Sequence, residues 1–237
     1  ISWCTLSHDE KQADVLIGRV GEMSNKTYEN ALADIRRDNE IVGDKIVTGG
    51  QLLQIPVRHP LSRFVANGYA LLGDSACMTI PMLGSGMASG MKAGKMLSDV
   101  ISSPIGENPF SVENLYRYQA RFMKEIGGKH AAVDMMKNWL LNSKKGDVDF
   151  LLGKGVVSRK VLIEASAGHM IVMSPEEMAQ AAVKGVAKLP LLLNLAVLLQ
   201  KMKKECKTAS NMPKYYDDAA FSKWEEKYEK PFLSLIH

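Results

Sequence analysis

One stretch of the sequence places an acid, a proline and two glycines at the spacing of a ligand-binding turn. The stretch reads LGDSACMTIPMLGSGMASGMKAGK and runs from Leu72 to Lys95. Asp74 can accept hydrogen bonds from sugar or polyol hydroxyls, and Pro81 fixes a turn. Gly84 and Gly86 let the backbone approach a flat ligand without a Cβ in the way.

Two predicted elements position these residues. A short buried strand, Tyr69–Leu72, leads into the acid, and a helix begins at Gly86 or Met87 and runs to Ile101. An acid at the carboxyl end of a parallel strand points into the crevice where open α/β sheets bind ligands. The free amides at the start of the helix suit a phosphate or negative charge developing on a ring. A flavin satisfies both requirements, whereas the alternative is a glycine-rich turn without a ligand.

The stretch resembles the C-terminal flavin motif of the geranylgeranyl reductase family of FAD-dependent oxidoreductases. This family is part of the larger group of para-hydroxybenzoate hydroxylase-like flavoproteins. Its pattern, GDAAGxxNPxxGxGIxxAMxSG, aligns with residues 73–94 without a gap. Upstream, residues 1–3 and Ala13–Gly18 look like the family's tryptophan-bearing strand and the strand that follows it, and Gln54–Pro56 matches its "iP". The resemblance covers residues 1 to about 101.

The resemblance implies FAD as the cofactor. In the family's arrangement, Asp74 binds the ribityl or pyrophosphate region and Pro81 lies against the ring face. The amides of Gly86 and Met87 face the N1–C2=O edge of the isoalloxazine and stabilise the anionic reduced flavin. The implied cofactor-binding residues are Gly73, Asp74, Pro81, Gly84, Gly86 and Met87.

The substrate side of the site is less defined. The resemblance implies Trp3 and Pro56 as walls of the cavity in front of the ring, although a core position explains Trp3 equally well. No catalytic residue is assigned. Cys4 and Cys77 are candidates for a proton donor only if they lie near the ring, and inert core thiols are the favoured interpretation.

The sequence departs from the family pattern at several positions. Cys77 replaces the usual glycine, Ile80 the asparagine, Met87 the isoleucine and Gly90 the alanine. No GxGxxG follows a strand in the chain, so the site for the adenosine half of FAD is absent. We therefore expect the C-terminal part of a longer enzyme, inactive by itself.

The implied activity is reduction of carbon–carbon double bonds in an apolar isoprenoid or similar lipid, with NAD(P)H or ferredoxin left open as the electron donor. One alternative is an aromatic-ring hydroxylase of the same fold, which typically carries histidine and asparagine where Cys77 and Met87 stand. An electron-transfer flavoprotein:quinone oxidoreductase would need an iron–sulfur cysteine cluster. The other alternative is a non-enzymatic helical domain that binds lipid or a protein partner.

Composition and charge exclude several other classes of function. The chain has 237 residues, a net charge of +4 and three widely separated cysteines. No basic stripe with aromatics indicates nucleic-acid binding, and no ligand spacing indicates a metal. Reduced cysteines favour a cytoplasmic protein. The apolar run Leu189–Leu199 is too short for a membrane span, but with Lys201, Lys203 and Lys204 it could contact a membrane surface; a core helix is the favoured interpretation.

The predicted fold is α+β or α/β. It comprises a mixed-sheet fragment of an FAD-dependent oxidoreductase, with the catalytic sheet and the last strand and helix of the FAD domain, followed by an all-helical region. The predicted domains are residues 1–104 and 105–237. Within them we expect a hairpin before Gly18, a helix Asn25–Asp38, strands at Ile46–Thr48 and Gln51–Ile55, and helices capped by Ser111 and Ser174. His130 is expected on a helix surface.

Overall fold

The structure is a computed structural model that describes residues 2–169 and 173–233, without the side chains of Ser2, Trp3 and Ser166. The described chain is mostly helical with two small sheets, which confirms the α+β class. Its internal contacts divide it into two compact units, residues 1–54 and 55–237.

The first unit contains a β-hairpin and one helix. Strands β1 (Ser2–Leu6) and β2 (Ala13–Ile17) pair antiparallel, with Ser2 opposite Ile17. Helix α1 spans Asn25–Asp38, and the hydroxyl of Ser24 caps it by accepting the amide N–H of Thr27. The predicted hairpin and the predicted helix are both confirmed.

The strands predicted at Ile46–Thr48 and Gln51–Ile55 are wrong, because both segments are irregular. Their large apolar side chains, including Val47 and Leu53, are exposed. A strand requires a hydrogen-bonded neighbour, and the described residues provide none for these segments.

The second unit opens with a minimal hairpin of β3 (Val65–Ala66) and β4 (Tyr69–Ala70). The strand predicted at Tyr69–Leu72 is therefore shorter than expected and antiparallel rather than parallel. It is not buried either, since Tyr69 is 55% exposed. The chain turns back at once through Gly68, whose φ of +71° favours glycine, so the strand has only β3 as a partner among the described residues.

Helices form the rest of this unit. They are α2 (Met87–Ser102), α3 (Val112–Phe122), α4 (Gly128–Asn142), α5 (Lys145–Gly153), α6 (Arg159–Ser166), α7 (Pro175–Gly185), α8 (Leu189–Ser210) and α9 (Asp218–Leu233). A π turn, Met123–Gly127, joins α3 to α4, and short 3-10 turns cover Gly73–Ala76 and Val186–Lys188.

The predicted helix starts are confirmed. Ser111 accepts the amide N–H of Asn114 at the start of α3. Ser174 and Glu177 form a reciprocal capping box at the start of α7, with Pro175 in the first helical position.

Helix packing builds the core of the second unit. Helix α2 packs on α3, and α4 packs along α8, which in turn contacts α9. The approach of α4 to α8 depends on Gly128, because a Cβ there would lie 2.8 Å from the carbonyl oxygen of Cys206. The largest fully buried side chains include Tyr116, Tyr118 and Tyr228.

The boundary between the two compact units falls after Gln54, whereas the sequence predicted a domain boundary at residue 104. Helix α2, which follows the motif, packs against α3, and this packing joins the motif to the helical region. The predicted boundary at residue 104 separates the catalytic sheet and flavin motif from the helical region, and this functional division stays a prediction.

Candidate functional site

The motif begins as a tight 3-10 turn. Gly73 adopts φ +65°, and the amide N–H of Met78 donates to the carbonyl of Gly73 at 3.0 Å. The amide N–H of Cys77 donates to the carbonyl of Asp74, also at 3.0 Å. These bonds turn the chain back on itself, so that the Asp74 side chain is exposed on the outside of the turn.

The turn brings Asp74 to the start of α2. A Cβ built on Gly86, the residue that caps α2, would lie 3.1 Å from Oδ1 of Asp74 and 3.0 Å from Cγ2 of Thr79. No side chain caps this helix. The first-turn amides of α2 therefore lie beside an exposed carboxylate, an arrangement that the helix dipole stabilises.

The two glycines of the motif have internal reasons to be glycine. Gly84 adopts φ +70°, where other residues are strained, and its amide N–H donates to the carbonyl of Ile80 at 2.8 Å. Gly86 lacks room for a side chain because Thr79 and Asp74 lie against it. The chain's own turn thus accounts for both glycines, in addition to the ligand approach expected from the sequence.

The remaining predicted cofactor residues differ in exposure. Pro81 is buried beneath the turn, whereas Met87 is 83% exposed at the start of α2. The predicted cofactor contact of Met87 is made by its amide and does not depend on this side chain.

The two predicted substrate residues lie in different units. Pro56 is half-buried, and its carbonyl accepts a hydrogen bond from Oγ1 of Thr79 at 2.9 Å, which ties the segment before the motif to the motif itself. Trp3 lies on β1 in the first unit, and its side chain is outside the described part of the structure.

Cys77 occupies the position where the family pattern has glycine, and the backbone explains that glycine. Cys77 adopts φ +55°, in the left-handed region. Its side chain is buried, and burial raises the pKa of its thiol, with Arg58 opposing that effect. A thiol with a raised pKa remains protonated and unreactive, in agreement with the interpretation of Cys77 as an inert core thiol.

A buried ionic cluster, which the sequence reasoning missed, holds the segment just before the motif. The backbone N–H of His59 donates to Oδ2 of Asp134 at 2.9 Å, and Nδ1 of His59 lies 2.9 Å from the same oxygen. Nε2 of His59 lies 2.8 Å from Nη2 of Arg58 and 3.2 Å from Oε2 of Glu229. With Nδ1–H donating to Asp134, Nε2 accepts from Arg58 when the ring is neutral and donates to Glu229 when it is protonated.

Electrostatics favour the charged form of this cluster. Burial alone would lower the pKa of His59, but its hydrogen bonds to Asp134 and Glu229 raise it. Burial would likewise raise the pKa of Asp134, yet His59 and Lys137 hold it below its ordinary value. Lys137 Nζ lies 2.6 Å from Oδ1 of Asp134 and donates to the carbonyl of Val57 at 2.5 Å.

Two further ionisable groups are buried in the second unit. Burial raises the pKa of Glu205 on α8 to about 7. His130 is buried in α4, which corrects the expectation of a surface residue, and burial with nearby Lys129 and Lys92 lowers its pKa to about 4. His130 is followed by the apolar run Ala131–Val133, a signal that could have indicated its burial, whereas Glu205 lies among lysines and its sequence gives no such signal.

A small apolar cavity of about 100 Å³ adjoins the motif. Met82 of the motif loop lines it, together with side chains from α4, α5, α6 and α8 that include Met136, Trp139, Leu151 and Leu195. The lining contributes no polar surface, so the cavity suits hydrocarbon.

The resemblance to the geranylgeranyl reductase family is confirmed by curated relatives, although no family model matches the chain. A digeranylgeranylglycerophospholipid reductase of Sulfolobus acidocaldarius is 28% identical over 169 residues, which cover 71% of this chain and 37% of the relative. The second such reductase of Methanopyrus kandleri is 28% identical over 187 residues, 68% of this chain and 47% of the relative. That of Methanothrix thermoacetophila is 29% identical over 108 residues. The chain thus spans less than half the length of these relatives.

Proposed function

We propose that this chain is part of an FAD-dependent reductase that reduces carbon–carbon double bonds of a geranylgeranyl-type isoprenoid lipid. One observation carries the proposal: the gapless flavin motif folds so that Asp74 lies beside the uncapped start of α2. The relatives that share the sequence are named as reductases of a lipid that carries such chains.

The residues of the turn fit a flavin. The exposed carboxylate of Asp74 accepts hydrogen bonds from the ribityl hydroxyls, next to the backbone of Gly73. The first-turn amides at Gly86 and Met87 donate to the electron-rich edge of the ring and stabilise negative charge there. Gly84 shapes the loop between Pro81 and the helix. When bound, FAD supplies the hydride to the substrate double bond.

The apolar surroundings of the motif support a hydrocarbon substrate. The cavity behind Met82 has an apolar lining, and Met87 presents its exposed thioether at the helix start. Pro56, whose carbonyl accepts a hydrogen bond from Thr79, would form part of the wall in front of the ring. These residues bind and orient the chain and exclude water from it, whereas the role of Trp3 stays a prediction.

A peripheral membrane contact through α8 is part of the proposal. Leu189, Leu193 and Val197 recur at four-residue spacing and are exposed. Within Leu189–Leu199 only Leu195 and Leu198 are buried, so most of this run is not in the core, contrary to the favoured interpretation. The helical stretch Pro175–Ser210 is also long and apolar enough to cross a membrane, properties that core helices of soluble proteins share. An exposed apolar stripe followed by lysines suits the surface of an anionic membrane.

An FAD titration of the full-length enzyme that contains this chain, followed by the change in flavin fluorescence, tests the cofactor site, because the adenosine half of FAD is expected to bind outside this chain. Asp74→Ala is expected to weaken FAD binding by about tenfold or more, because hydrogen bonds to a charged acceptor contribute about 1.5–3 kcal/mol. Asp44→Ala removes an exposed acid outside the motif and should leave binding unchanged. Equal FAD affinity of wild type and Asp74→Ala, or no uptake by wild type, would refute the proposal.

A further inference from the structure

A basic cavity of about 520 Å³ lies where α2 and α3 meet the π turn and the start of α4. This volume is within the range of small-molecule sites. Its lining comprises Lys92, Lys95 and Met96 of α2, Arg121 of α3, Lys124, Glu125 and Ile126 of the π turn, and Lys129 of α4.

The positive charges of this basic cavity exceed the negative charges around it. Arg121 pairs with Asp99 at 3.0 Å and with Glu125 at 2.9 Å, and Asp99 also pairs with Lys95. The other three lysines have no carboxylate partner within 4.0 Å in residues 2–169 and 173–233. They are Lys92, Lys124 and Lys129. A concave surface with an excess of one charge concentrates ions of the opposite charge.

The backbone holds these lysines in a specific arrangement. The π turn places Lys124 just before the Gly127–Gly128 pair and Lys129 just after it. Close packing against α8 fixes that pair, since a Cβ on Gly128 would lie 2.9 Å from Oγ of Ser210. π turns are uncommon and occur frequently at functional sites. The backbone of the cavity wall is therefore a defined turn, and it carries lysine side chains that are exposed to solvent.

The α2 side of the basic cavity leads back to the motif. Met87 and Met91 are 83% and 77% exposed and share one face of α2. Lys95 follows Met91 by four residues and so lies about 40° from it around the helix. Lys92 and Lys95 lie about 7.5 and 12 Å along the axis from Met87, at 1.5 Å per residue. An apolar path along α2 thus joins the basic cavity to the start of the helix.

We propose that the basic cavity binds the phosphate group of a glycerophospholipid, with the lipid chain lying along Met91 and Met87 toward the motif. Lysine ammonium groups bind phosphate oxygens through charge-assisted hydrogen bonds. Phosphate binding stands on the cavity alone, whereas its assignment to a lipid headgroup rests on the proposed function.

Calorimetric titration of the protein, without added flavin, tests the proposal with two probes. The probes are glycerol phosphate and dihexanoyl phosphatidic acid, a short-chain lipid with the same phosphate group. Lys92→Gln combined with Lys129→Gln removes two of the unpaired charges. Lys144→Gln combined with Lys145→Gln removes two exposed charges at the start of α5, outside the cavity, and is the matched control.

Both probes are expected to bind wild type and the control alike, and the lipid is expected to displace glycerol phosphate. The cavity variant should bind each probe at least about tenfold more weakly. Equal affinity of wild type and the cavity variant, or an equal loss in the control, overturns the site. Binding of glycerol phosphate that the lipid does not displace overturns the headgroup assignment. Because no flavin is present, failure of the proposed function leaves these results unaffected.

Discussion

Glu205→Gln is expected to stabilise the protein at pH 8 and to change its stability much less at pH 5. Glu205 is 3% exposed, and its Oε1 has no hydrogen-bond partner within the described part of the chain. Burial, aided by Glu229, raises its pKa to about 7, while His59, Lys204 and Lys227 act in the opposite direction. The folded protein therefore holds this carboxyl in its neutral form at pH values where the unfolded chain has released the proton.

The magnitude follows from proton linkage. Below the ordinary pKa of 4.5, both states carry the proton and the group has no effect. Between 4.5 and about 7 only the unfolded chain ionises, so the stability of the protein falls as the pH rises. Above this range the cost is constant at about 3 kcal/mol, and at pH 5 it is below about 1 kcal/mol. Glutamine cannot ionise and avoids this cost, so we expect a gain of about 2–3 kcal/mol at pH 8.

Urea unfolding at the two pH values measures the effect. Trp224 is a suitable fluorescence probe, because its indole N–H donates to the carbonyl of Thr208 on the same helix as Glu205. Glu226→Gln changes an exposed carboxylate on α9 and should shift the unfolding free energy by less than about 0.5 kcal/mol. A loss of stability in Glu205→Gln at pH 8 would mean that the carboxylate is ionised and paired. An equal gain at both pH values would show that ionisation is not the cause.

Two further substitutions test the turn and the membrane contact. The unfolding free energy of Cys77→Gly should stay within about 1 kcal/mol of that of wild type. Glycine relieves about 1–2 kcal/mol of left-handed backbone strain, and this gain offsets the lost packing of the thiol and the greater conformational entropy of the unfolded chain. Cys77→Val should be less stable by about 2 kcal/mol, since β-branched residues fit that conformation poorly. Denaturant curves compare the variants, and a fully stable valine variant would contradict φ +55° at this residue. The double variant Leu193→Glu with Val197→Glu should sediment less with phosphatidylglycerol vesicles than wild type does, because both side chains are exposed on α8. Ile105→Glu changes an exposed apolar residue outside α8 and should sediment like wild type. Equal sedimentation of wild type and the double variant would exclude α8 from the membrane contact.

Local sequence signals predicted the elements that depend on local interactions. The bounds of α1 follow from its capping serine and its periodic apolar residues, and the capping box fixes the start of α7. The turn before α2 also depends on local interactions, since Gly73 and Gly84 adopt positive φ values that glycine accommodates without strain. Each of these features is determined by residues within a few positions of one another.

The errors concern pairing between distant parts of the chain. Ile46–Thr48 has the composition of a strand, but composition does not provide a neighbouring strand. The antiparallel partner of Tyr69 depends on how the chain turns at Gly68, which strand propensity does not reveal. His59 and Asp134 are 75 residues apart, and His59 and Glu229 are 170 apart, so no spacing in the sequence indicated their cluster.

Hydrogen bonds to the segment before the motif join the motif to the helical region. Three bonds hold the segment that precedes the motif: Thr79 to the carbonyl of Pro56, Lys137 to that of Val57, and Tyr228 to that of Pro60. The first comes from the motif itself, the second from α4 and the third from α9.

Helices α4 and α9 therefore support the segment before the turn that carries Asp74, because they supply the partners of the Val57 and Pro60 carbonyls. This arrangement gives the C-terminal helices a direct part in the proposed site. His59 follows Pro56 by three residues, so its pair with Asp134 holds the same segment that Thr79 of the motif binds, although neither member of the pair belongs to the motif.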